Sequence, residues 1–249
     1  MILCMVKMKK NKIFEFIKDL LFPRKCIICG EVIPFGNEDK YVCETCRDNI
    51  PYINVKVCEK CGRPLSENET DKYCLECTAK HRTFDKCYAV FPYEVVREGI
   101  KRFKFDNIEN LGIGFSKLMF DYAKKNFMDE FLNFDYLVPI PIHEKRRKER
   151  GFNQTEVLVK ELSKLSGIPY DNEILLRHKQ TKPQNSLTPK ERKDNIKGAF
   201  FVNKADLIEN KKILIVDDIF TTGSTVEEAA KELYKNGAVN VCVFTLSIT

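Results

Sequence analysis

The chain lacks any apolar run of the roughly eighteen residues that a membrane-spanning helix needs. Its first residues also lack the uncharged centre and small-residue cleavage site of a secretory signal, because charged residues interrupt the apolar ones throughout residues 12–22. These absences predict a cytoplasmic protein with no integral membrane segment. Residues 12–22 have helical spacing and stop at Pro23, which predicts a short amphipathic helix within an N-terminal segment, residues 1–23. That helix would pack on the protein or bind a membrane surface or a partner.

Two common nucleotide-binding motifs are also absent. No Gly-x-x-x-x-Gly-Lys-Ser/Thr sequence occurs, which excludes a P-loop. Gly112 and Gly114 are followed by Lys117 where the third glycine of a dinucleotide fingerprint would stand, so we interpret these glycines as structural. Histidine is scarce, with only three residues, and we expect His143 to cap or orient a basic loop rather than to exchange protons in catalysis.

Aliphatic residues are scarce in residues 24–84, so this segment cannot bury a conventional core and needs another source of stability. Eight of the chain's eleven cysteines lie here as four Cys-x-x-Cys pairs. An odd cysteine total with paired spacing in a cytosolic chain indicates metal binding rather than disulfides. Four thiolates saturate a tetrahedral zinc ion and leave no open position for catalysis. The predicted ligands of two structural zinc ions are Cys26, Cys29, Cys43, Cys46, Cys58, Cys61, Cys74 and Cys77.

The order of the cysteine pairs leaves two arrangements open. In the simpler one, the first two pairs bind one ion and the last two pairs bind the other, with spacers of thirteen and twelve residues inside the two groups. A cross-braced arrangement would use the same eight residues. In either case the formal charge of +6 would fall to about +2, because bound thiolates are deprotonated. The net charge is therefore weak evidence for a nucleic-acid partner.

From residue 85 to residue 249 the pattern changes to alternating strands and helices. Predicted strands are residues 88–93, 136–141, 199–203, 212–216 and 239–246, and predicted helices are residues 95–105, 111–126, 154–166 and 225–235. Asn153 is expected to cap the third of these helices, with Glu156 completing a capping box. This alternation predicts an α/β fold with a mainly parallel sheet covered on both faces. Residues 179–197 are almost entirely polar and predict a long loop, which lies on the surface or closes over a substrate.

The most informative segment follows the apolar residues 213–216. Asp217 and Asp218 come first, and after a short spacer the residues Thr221, Thr222, Gly223, Ser224 and Thr225 lead into a helix. The end of a parallel strand followed by a helix N-terminus presents free N–H groups to an anion. Carboxylates accept hydrogen bonds from vicinal hydroxyls and so suit ribose O2 and O3. The segment therefore predicts a ribose 5-phosphate site, with Asp217 and Asp218 as its catalytic pair.

A second basic element follows residues 139–141 and ends just before the helix that starts at Gln154. We interpret Arg146, Arg147 and Arg150 as contacts for pyrophosphate or for nucleic-acid phosphate, and a solvated charge run remains a third interpretation. Lys179, in the polar loop, is a further candidate for the leaving pyrophosphate. Residues 101–105 mix basic and aromatic side chains that would stack bases, although packing by Phe103 with outward lysines is the preferred interpretation.

In this order, the cysteine pairs and the four later motifs resemble the ComF family of phosphoribosyltransferase-like competence proteins, of the ComFC type. Those motifs are Lys101-Arg102-Phe103-Lys104-Phe105, Pro139-Ile140-Pro141, Arg150-Gly151-Phe152-Asn153-Gln154 and the segment of residues 217–225. The resemblance covers nearly the whole chain from about residue 22. It implies a type I phosphoribosyltransferase fold behind a double zinc ribbon at residues 24–84.

The resemblance also implies a function. It implies binding of phosphoribosyl pyrophosphate (PRPP) with Mg²⁺ and a cytoplasmic role in natural transformation, after DNA import. The implied partners are incoming single-stranded DNA, a helicase-like protein called ComFA and recombination mediators. Two hypotheses about the chemistry stay open at this point. The protein is either a transferase with an unnamed acceptor or a scaffold for single-stranded DNA or proteins without turnover.

Overall fold

The computed structural model describes residues 20–66, 72–105, 109–179 and 189–249. Its centre is a four-stranded sheet in the order β1-β6-β5-β2, and all three strand pairings within it are parallel. These strands are β1 (Cys87–Pro92), β2 (Tyr136–Pro139), β5 (Lys212–Phe220) and β6 (Asn240–Ile248). A separate antiparallel pair is formed by β3 (Leu175–Arg177) and β4 (Phe200–Val202). The predicted parallel sheet is confirmed.

Helices surround this sheet and also occur in the cysteine-rich module, which is residues 24–84. The helices of the described residues are α1 (Glu44–Asp48), α2 (Leu75–Ala79), α3 (Tyr93–Phe105), α4 (Glu109–Asn126), α5 (Met128–Leu132), α6 (Glu144–Arg150), α7 (Gln154–Ser166), α8 (Pro189–Ile196) and α9 (Ser224–Lys235). None of the helices in this part of the chain is long and apolar enough to cross a membrane. The predicted N-terminal helix falls almost entirely outside the described residues, and Leu20, Leu21 and Phe22 at its end are exposed.

Both faces of the parallel sheet are buried, as the alternation along β5 shows. Leu214 and Val216 pack into one apolar cluster, whereas Ile213 and Ile215 pack into a second cluster on the opposite face. All four side chains have 0% exposure. A strand that is buried on both faces reads as a continuous apolar run, which explains why this strand was visible in the sequence.

Two polar segments contain more helix than the sequence predicted. The basic residues after His143 form α6 instead of a loop, and the second half of the predicted loop at 179–197 forms α8. The remainder of that loop, residues 180–188, lies outside the described residues. Helix α6 begins where the His143 ring accepts a hydrogen bond from the Lys145 N–H at 3.2 Å, and it ends at Gly151, which has a φ of 76°. The expected capping role of His143 is therefore confirmed.

Helix α7 begins at Gln154 as predicted. Asn153 accepts a hydrogen bond from the Thr155 N–H at 3.3 Å and so acts as the N-cap. The Glu156 carboxylate does not close a capping box in the predicted way. It instead binds the Arg147 guanidinium, with N–O distances of 3.0 and 3.1 Å. Asn153 thus caps the helix, and Glu156 accepts a hydrogen bond from the Asn153 side chain at 3.5 Å and joins α7 to α6.

The cysteine-rich module covers the sheet edge at β1. The Ile53 N–H donates to the Val90 carbonyl at 2.9 Å, and the Cys87 N–H donates to the Lys60 carbonyl at 2.9 Å. Because an open edge strand would otherwise be free to pair with another chain, these bonds protect the sheet.

The junction between module and sheet is itself buried. We predicted a domain boundary after Phe84, and this stays a prediction. The Phe84 side chain has 0% exposure and packs edge-on against Phe220 of β5, with ring centroids 6.1 Å apart. The module contributes residues to both of the apolar clusters that cover the sheet.

Candidate functional site

Strand β5 carries the two aspartates. The strand continues to Phe220, four residues further than predicted, so Asp217 and Asp218 lie within it instead of after it. Asp217 is 8% exposed, and its Oδ1 accepts a hydrogen bond from the Asp218 N–H at 2.8 Å. Burial, followed by the negative charge of Asp218, raises the pKa of Asp217 to about 8. Without a cation or ligand, this shift favours the protonated form of Asp217.

Lys104 is a site residue that sequence reasoning missed. Its Nζ lies 2.6 Å from Oδ2 of Asp218, and the two side chains are 16% and 15% exposed. The prediction that the lysines of residues 101–105 point outward is thus wrong for Lys104. The packing role of Phe103 is confirmed, since this ring is fully buried. The sequence signal for Lys104 was its place in the basic and aromatic motif, but helical periodicity alone did not reveal its partner.

Two arginines approach the acidic pair from different elements. Arg146 belongs to α6, and burial together with the positive charge of Arg150 lowers its pKa, against the opposite influence of Asp218. Arg177 belongs to β3, and burial followed by the charge of Arg146 lowers its pKa to about 10, while Asp217 acts in the opposite direction. These mutual influences place Arg146 and Arg177 in one electrostatic neighbourhood with the aspartates. Arg177 was not among the predicted site residues.

The other predicted basic contacts divide into two groups. The Arg150 guanidinium lies 5.3 Å from the ring centroid of Phe105 and donates to Gln154 Oε1 at 3.1 Å, beside Arg146. Arg147, in contrast, uses both of its terminal nitrogens on Glu156. Lys179 donates to the Lys197 carbonyl at 3.2 Å. The structure therefore places Arg146 near the acidic pair and Arg150 on Phe105 and Gln154, and it uses Arg147 and Lys179 in contacts with other groups.

Residues 221–225, which we call the phosphate loop, connect β5 to α9. Gly223 is the N-cap of α9 with a φ of 73°, and a Cβ at this position would lie 2.5 Å from Cζ of Phe220. Both facts require glycine here. Thr222 Oγ1 and Ser224 Oγ are 2.8 Å apart. The loop thus places hydroxyl groups beside the N-terminus of a twelve-residue helix.

The eight predicted metal ligands form two separate groups, and the sequential arrangement is the one observed. The first cluster is Cys26, Cys29, Cys43 and Cys46, and the second cluster is Cys58, Cys61, Cys74 and Cys77. Within each cluster the sulfur atoms lie within 4.8 Å of one another. One sulfur pair in each cluster is 3.7 Å apart. A tetrahedral ion with Zn–S bonds of about 2.3 Å requires sulfur separations of about 3.8 Å. The donor sets therefore fit two structural zinc ions.

Comparison with known proteins agrees with this architecture. The family model described as a double zinc ribbon domain matches residues 17–78, and the model described as a phosphoribosyl transferase domain matches residues 148–246. Competence protein F of Haemophilus influenzae is 30% identical over 91% of this chain and 97% of the relative. Competence protein ComFC of Bacillus subtilis is 31% identical over 84% of each chain. DNA utilization protein YhgH of Escherichia coli K12 is 28% identical over 92% of this chain and 99% of the relative.

The matches confirm the predicted fold class. The parallel sheet with its helices is a phosphoribosyltransferase fold, and the two cysteine clusters are a double zinc ribbon. The first and second clusters accordingly belong to a first and a second ribbon.

Proposed function

The chain belongs to the ComF family of competence proteins, and from that premise we propose that it binds PRPP with Mg²⁺ and handles incoming single-stranded DNA in the cytoplasm during natural transformation. The observation that carries the proposal is the placement of an acidic pair on β5 directly before the phosphate loop. Its relatives are named for competence and for DNA utilization, which supports the cellular part of the proposal.

The phosphate loop supplies the anion site. A phosphate at the start of α9 would accept hydrogen bonds from backbone N–H groups and would lie at the positive end of the helix dipole. The hydroxyl groups of Thr222 and Ser224 are already close enough to each other to contact the same phosphate. Asp217 and Asp218 lie upstream on the strand, where they would accept hydrogen bonds from the ribose hydroxyls.

Positive groups in the same site suit the pyrophosphate of PRPP. Lys104, Arg146 and Arg177 interact with the two aspartates, and Arg150 lies next to Arg146. Three cationic groups near two carboxylates, with Arg150 beside one of them, leave positive charge for an anionic leaving group. When bound, Mg²⁺ would neutralise further charge on the phosphates. Release of Lys104 from Asp218 would then free that carboxylate for the ribose.

The proposed reaction is transfer of the ribosyl group from pyrophosphate to an acceptor. The bond from C1 of the ribose to the pyrophosphate oxygen would break, and a bond from C1 to the acceptor would form. The pyrophosphate would leave toward Arg146 and Arg150.

A second candidate is a scaffold that binds single-stranded DNA without turnover. It is favoured by Phe105, which is 65% exposed at the end of α3 and lies under the Arg150 guanidinium. An exposed aromatic ring with a cation beside it is a platform on which bases stack. The same surface would serve a ComFA-type helicase or recombination mediators that act on the same strand.

Calorimetric titration of PRPP with Mg²⁺ into the zinc-loaded protein tests the first candidate. We expect wild type to bind and the double variant Asp217→Asn, Asp218→Asn to lose at least about 100-fold in affinity, because two charge-assisted contacts disappear. A matched control changes two exposed aspartates, Asp129→Asn and Asp206→Asn, and should bind like wild type.

The outcomes separate the two candidates. Absence of PRPP binding by wild type would exclude the transferase proposal. If a single-stranded oligonucleotide then binds wild type but not Phe105→Ala, the scaffold is the correct function. If PRPP binds equally to wild type and to the double aspartate variant, the ribose site has been placed wrongly.

A further inference from the structure

Arg82 lies between the second cluster and the phosphate loop and is only 7% exposed. Its Nη1 donates to the Thr222 carbonyl at 2.9 Å, and its Nη2 donates to Glu76 Oε1 at 2.8 Å. The guanidinium also interacts with the sulfur of Cys77. A buried guanidinium is costly unless such partners surround it, so these contacts hold the loop and the cluster together.

Arg63 makes a second connection of the same kind. It follows Cys61 and Gly62, and its Nη2 donates to the Thr221 carbonyl at 3.3 Å. The same nitrogen lies 3.7 Å from Glu76 Oε2. Two successive carbonyls of the phosphate loop are therefore bound by two arginines, and both arginines meet the same carboxylate.

Because the peptide bond is planar, contacts that fix the two carbonyls also fix the direction of the N–H groups that follow them. In a trans peptide the carbonyl and the following N–H point in opposite directions. When the carbonyls of Thr221 and Thr222 point toward the cysteine-rich module, the N–H groups of Thr222 and Gly223 must point away from it. These N–H groups lie just before the start of α9, where the proposed anion would bind. The arginines thus fix the direction of the donors without touching the anion.

We propose that Arg63 and Arg82 are positioning residues for the phosphate loop, and that the second ribbon serves the phosphate site in a way that the first ribbon does not. This rests on the proposed function as far as the identity of the anion is concerned. The anchor is Glu76, which lies between Cys74 and Cys77 in α2. A zinc ion held by these cysteines therefore also fixes the backbone that carries the anchor.

A further contact from the same ribbon reaches the helix behind the loop. The Thr83 N–H and hydroxyl donate to the Glu227 carboxylate at distances of 3.1 and 2.6 Å. Glu227 lies in the first turn of α9. The cysteine-rich module therefore binds both the carbonyls of the phosphate loop and the helix that follows it. These contacts leave the loop peptides little freedom to change orientation.

The equivalent positions of the first ribbon carry different residues. Arg63 comes two residues after the second cysteine of its ribbon, and the corresponding residue of the first ribbon is Glu31. Glu76 comes two residues after the third cysteine, and its counterpart is Thr45. The arginines and their anchor are thus additions to the metal-binding unit rather than requirements of it.

The test compares Arg82→Met with Arg47→Met. Arg47 is an arginine of the first ribbon, next to Cys46, and is not among the contacts of the phosphate loop described above. In the unliganded protein, nuclear magnetic relaxation should show that backbone order parameters of Thr222 and Gly223 fall from about 0.85 to below about 0.6 in Arg82→Met. Zinc content should stay at two ions per chain in both variants, as expected for the two clusters.

Binding gives a second readout. Loss of a buried charged hydrogen bond predicts that Arg82→Met binds ribose 5-phosphate about 10 to 100 times more weakly. Its affinity for inorganic pyrophosphate should change less than about 3-fold, because that group is assigned to the basic residues of α6. A general loss of structure would lower both affinities together. Arg47→Met should leave both affinities unchanged.

The outcomes are decisive for the positioning role. Wild-type order parameters and wild-type ribose 5-phosphate affinity in Arg82→Met would overturn it. If Arg82→Met does not fold, the partly exposed Arg63→Met replaces it, with a smaller loss of about 3- to 10-fold. If wild type itself fails to bind ribose 5-phosphate, the proposed function is wrong, and the order parameters alone still decide whether Arg82 orders the loop.

Discussion

The two ribbons have the same local construction. In each, the N–H of the first cysteine donates at 2.8 Å to the carbonyl of the residue five positions later, which is Glu31 in one ribbon and Arg63 in the other. A glycine with positive φ, Gly30 or Gly62, follows the second cysteine. A five-residue helix, α1 or α2, begins directly after the third cysteine. The features shared by the two ribbons thus build the metal site, and they do not determine what each ribbon contacts.

The neighbours of the two ribbons differ. The first ribbon packs on the helical layer, where the Ile27 carbonyl meets Gly99 of α3 and the Tyr41 ring meets Gly114 of α4. The second ribbon lies beside β1, α9 and the phosphate loop, and its Cys61 is 2% exposed whereas Cys29 of the first ribbon is exposed. The role of each metal unit therefore depends on the residues between its ligands and directly after them.

The largest expected effect comes from breaking one cluster at a time. Cys61→Ser and Cys29→Ser change matched positions, and each should reduce the zinc content from two ions to one. Structural zinc contributes on the order of 10 kcal/mol to the folding of small zinc modules, so both variants should lose several kcal/mol in urea unfolding. Only Cys61→Ser should also abolish ribose 5-phosphate binding in calorimetry. Equal loss of binding in both variants would show that the two ribbons support the phosphate loop to the same extent.

Glycine substitutions test the close backbone contacts through which each ribbon packs on the α/β part of the chain. A Cβ at Gly62 would lie 2.5 Å from the Cys87 carbonyl oxygen, and a Cβ at Gly99 would lie 2.0 Å from the Ile27 carbonyl oxygen. Because backbone must move in both cases, alanine at either position should cost about 3 kcal/mol or more. Gly62→Ala should also weaken ribose 5-phosphate binding, whereas Gly99→Ala should not.

Gly30→Ala is the matched control for Gly62→Ala. Gly30 has a similar φ of 81°, but no atom lies within 4 Å of the position where its Cβ would stand. Only the conformational cost of about 1 kcal/mol is expected there, measured by urea unfolding. A cost for Gly30→Ala as large as that for Gly62→Ala would mean that the close approach to Cys87 contributes nothing.

The raised pKa of Asp217 should make the stability of the protein depend on pH through the candidate site. Its pKa is raised from 3.8 to about 8, so the folded state binds a proton that the unfolded state releases. Stability from this group is present below the ordinary pKa and is lost as pH rises through the raised value. Between about pH 4 and pH 8, the free energy of unfolding of wild type should therefore fall more steeply than that of Asp217→Asn.

The affinity for ribose 5-phosphate should change with pH in the direction opposite to the stability. Ribose hydroxyls and Mg²⁺ favour the ionised carboxylate, so ribose 5-phosphate with Mg²⁺ should bind wild type more tightly as pH rises toward about 9. The ligand phosphate also titrates, but its effect is the same for wild type and Asp217→Asn and cancels when the two affinities are compared. Parallel pH profiles for the two proteins would contradict this prediction, because they would show that Asp217 does not titrate in this pH range. Variants of the first ribbon should keep the wild-type profile.

The parts of this protein that could be predicted from sequence are those with local signals. The zinc ligands, the capped helix from Gln154 to Ser166 and the segment from Asp217 onward each follow from spacing within a short window. Helix α6 has no buried residue and no apolar stripe, so periodicity could not reveal it.

The remaining features depend on contacts between distant positions. Arg82 and Thr222 are separated by 140 residues, and Arg63 and Thr221 by 158. Lys104 meets its partner, Asp218, only after α3 packs on the sheet. A single sequence gives the residue types at such positions but contains no information on which pairs will touch. The site was therefore predictable where it is one continuous segment, and its supporting residues were not.

The smallest expected effect is at the exposed arginine of the first ribbon. Arg47 and Glu38 are 3.9 Å apart with side chains 40% and 94% exposed, whereas Arg82 and Glu76 are 2.8 Å apart with side chains 7% and 30% exposed. An exposed pair at that distance contributes little because water and salt screen it. Arg47→Met should change the free energy of urea unfolding by less than about 0.5 kcal/mol, while Arg82→Met, which leaves Glu76 without its buried partner, should cost about 3 kcal/mol. A loss above about 1 kcal/mol in Arg47→Met would show that the first ribbon also depends on its arginine, and the contrast between the ribbons would then rest on the phosphate loop alone.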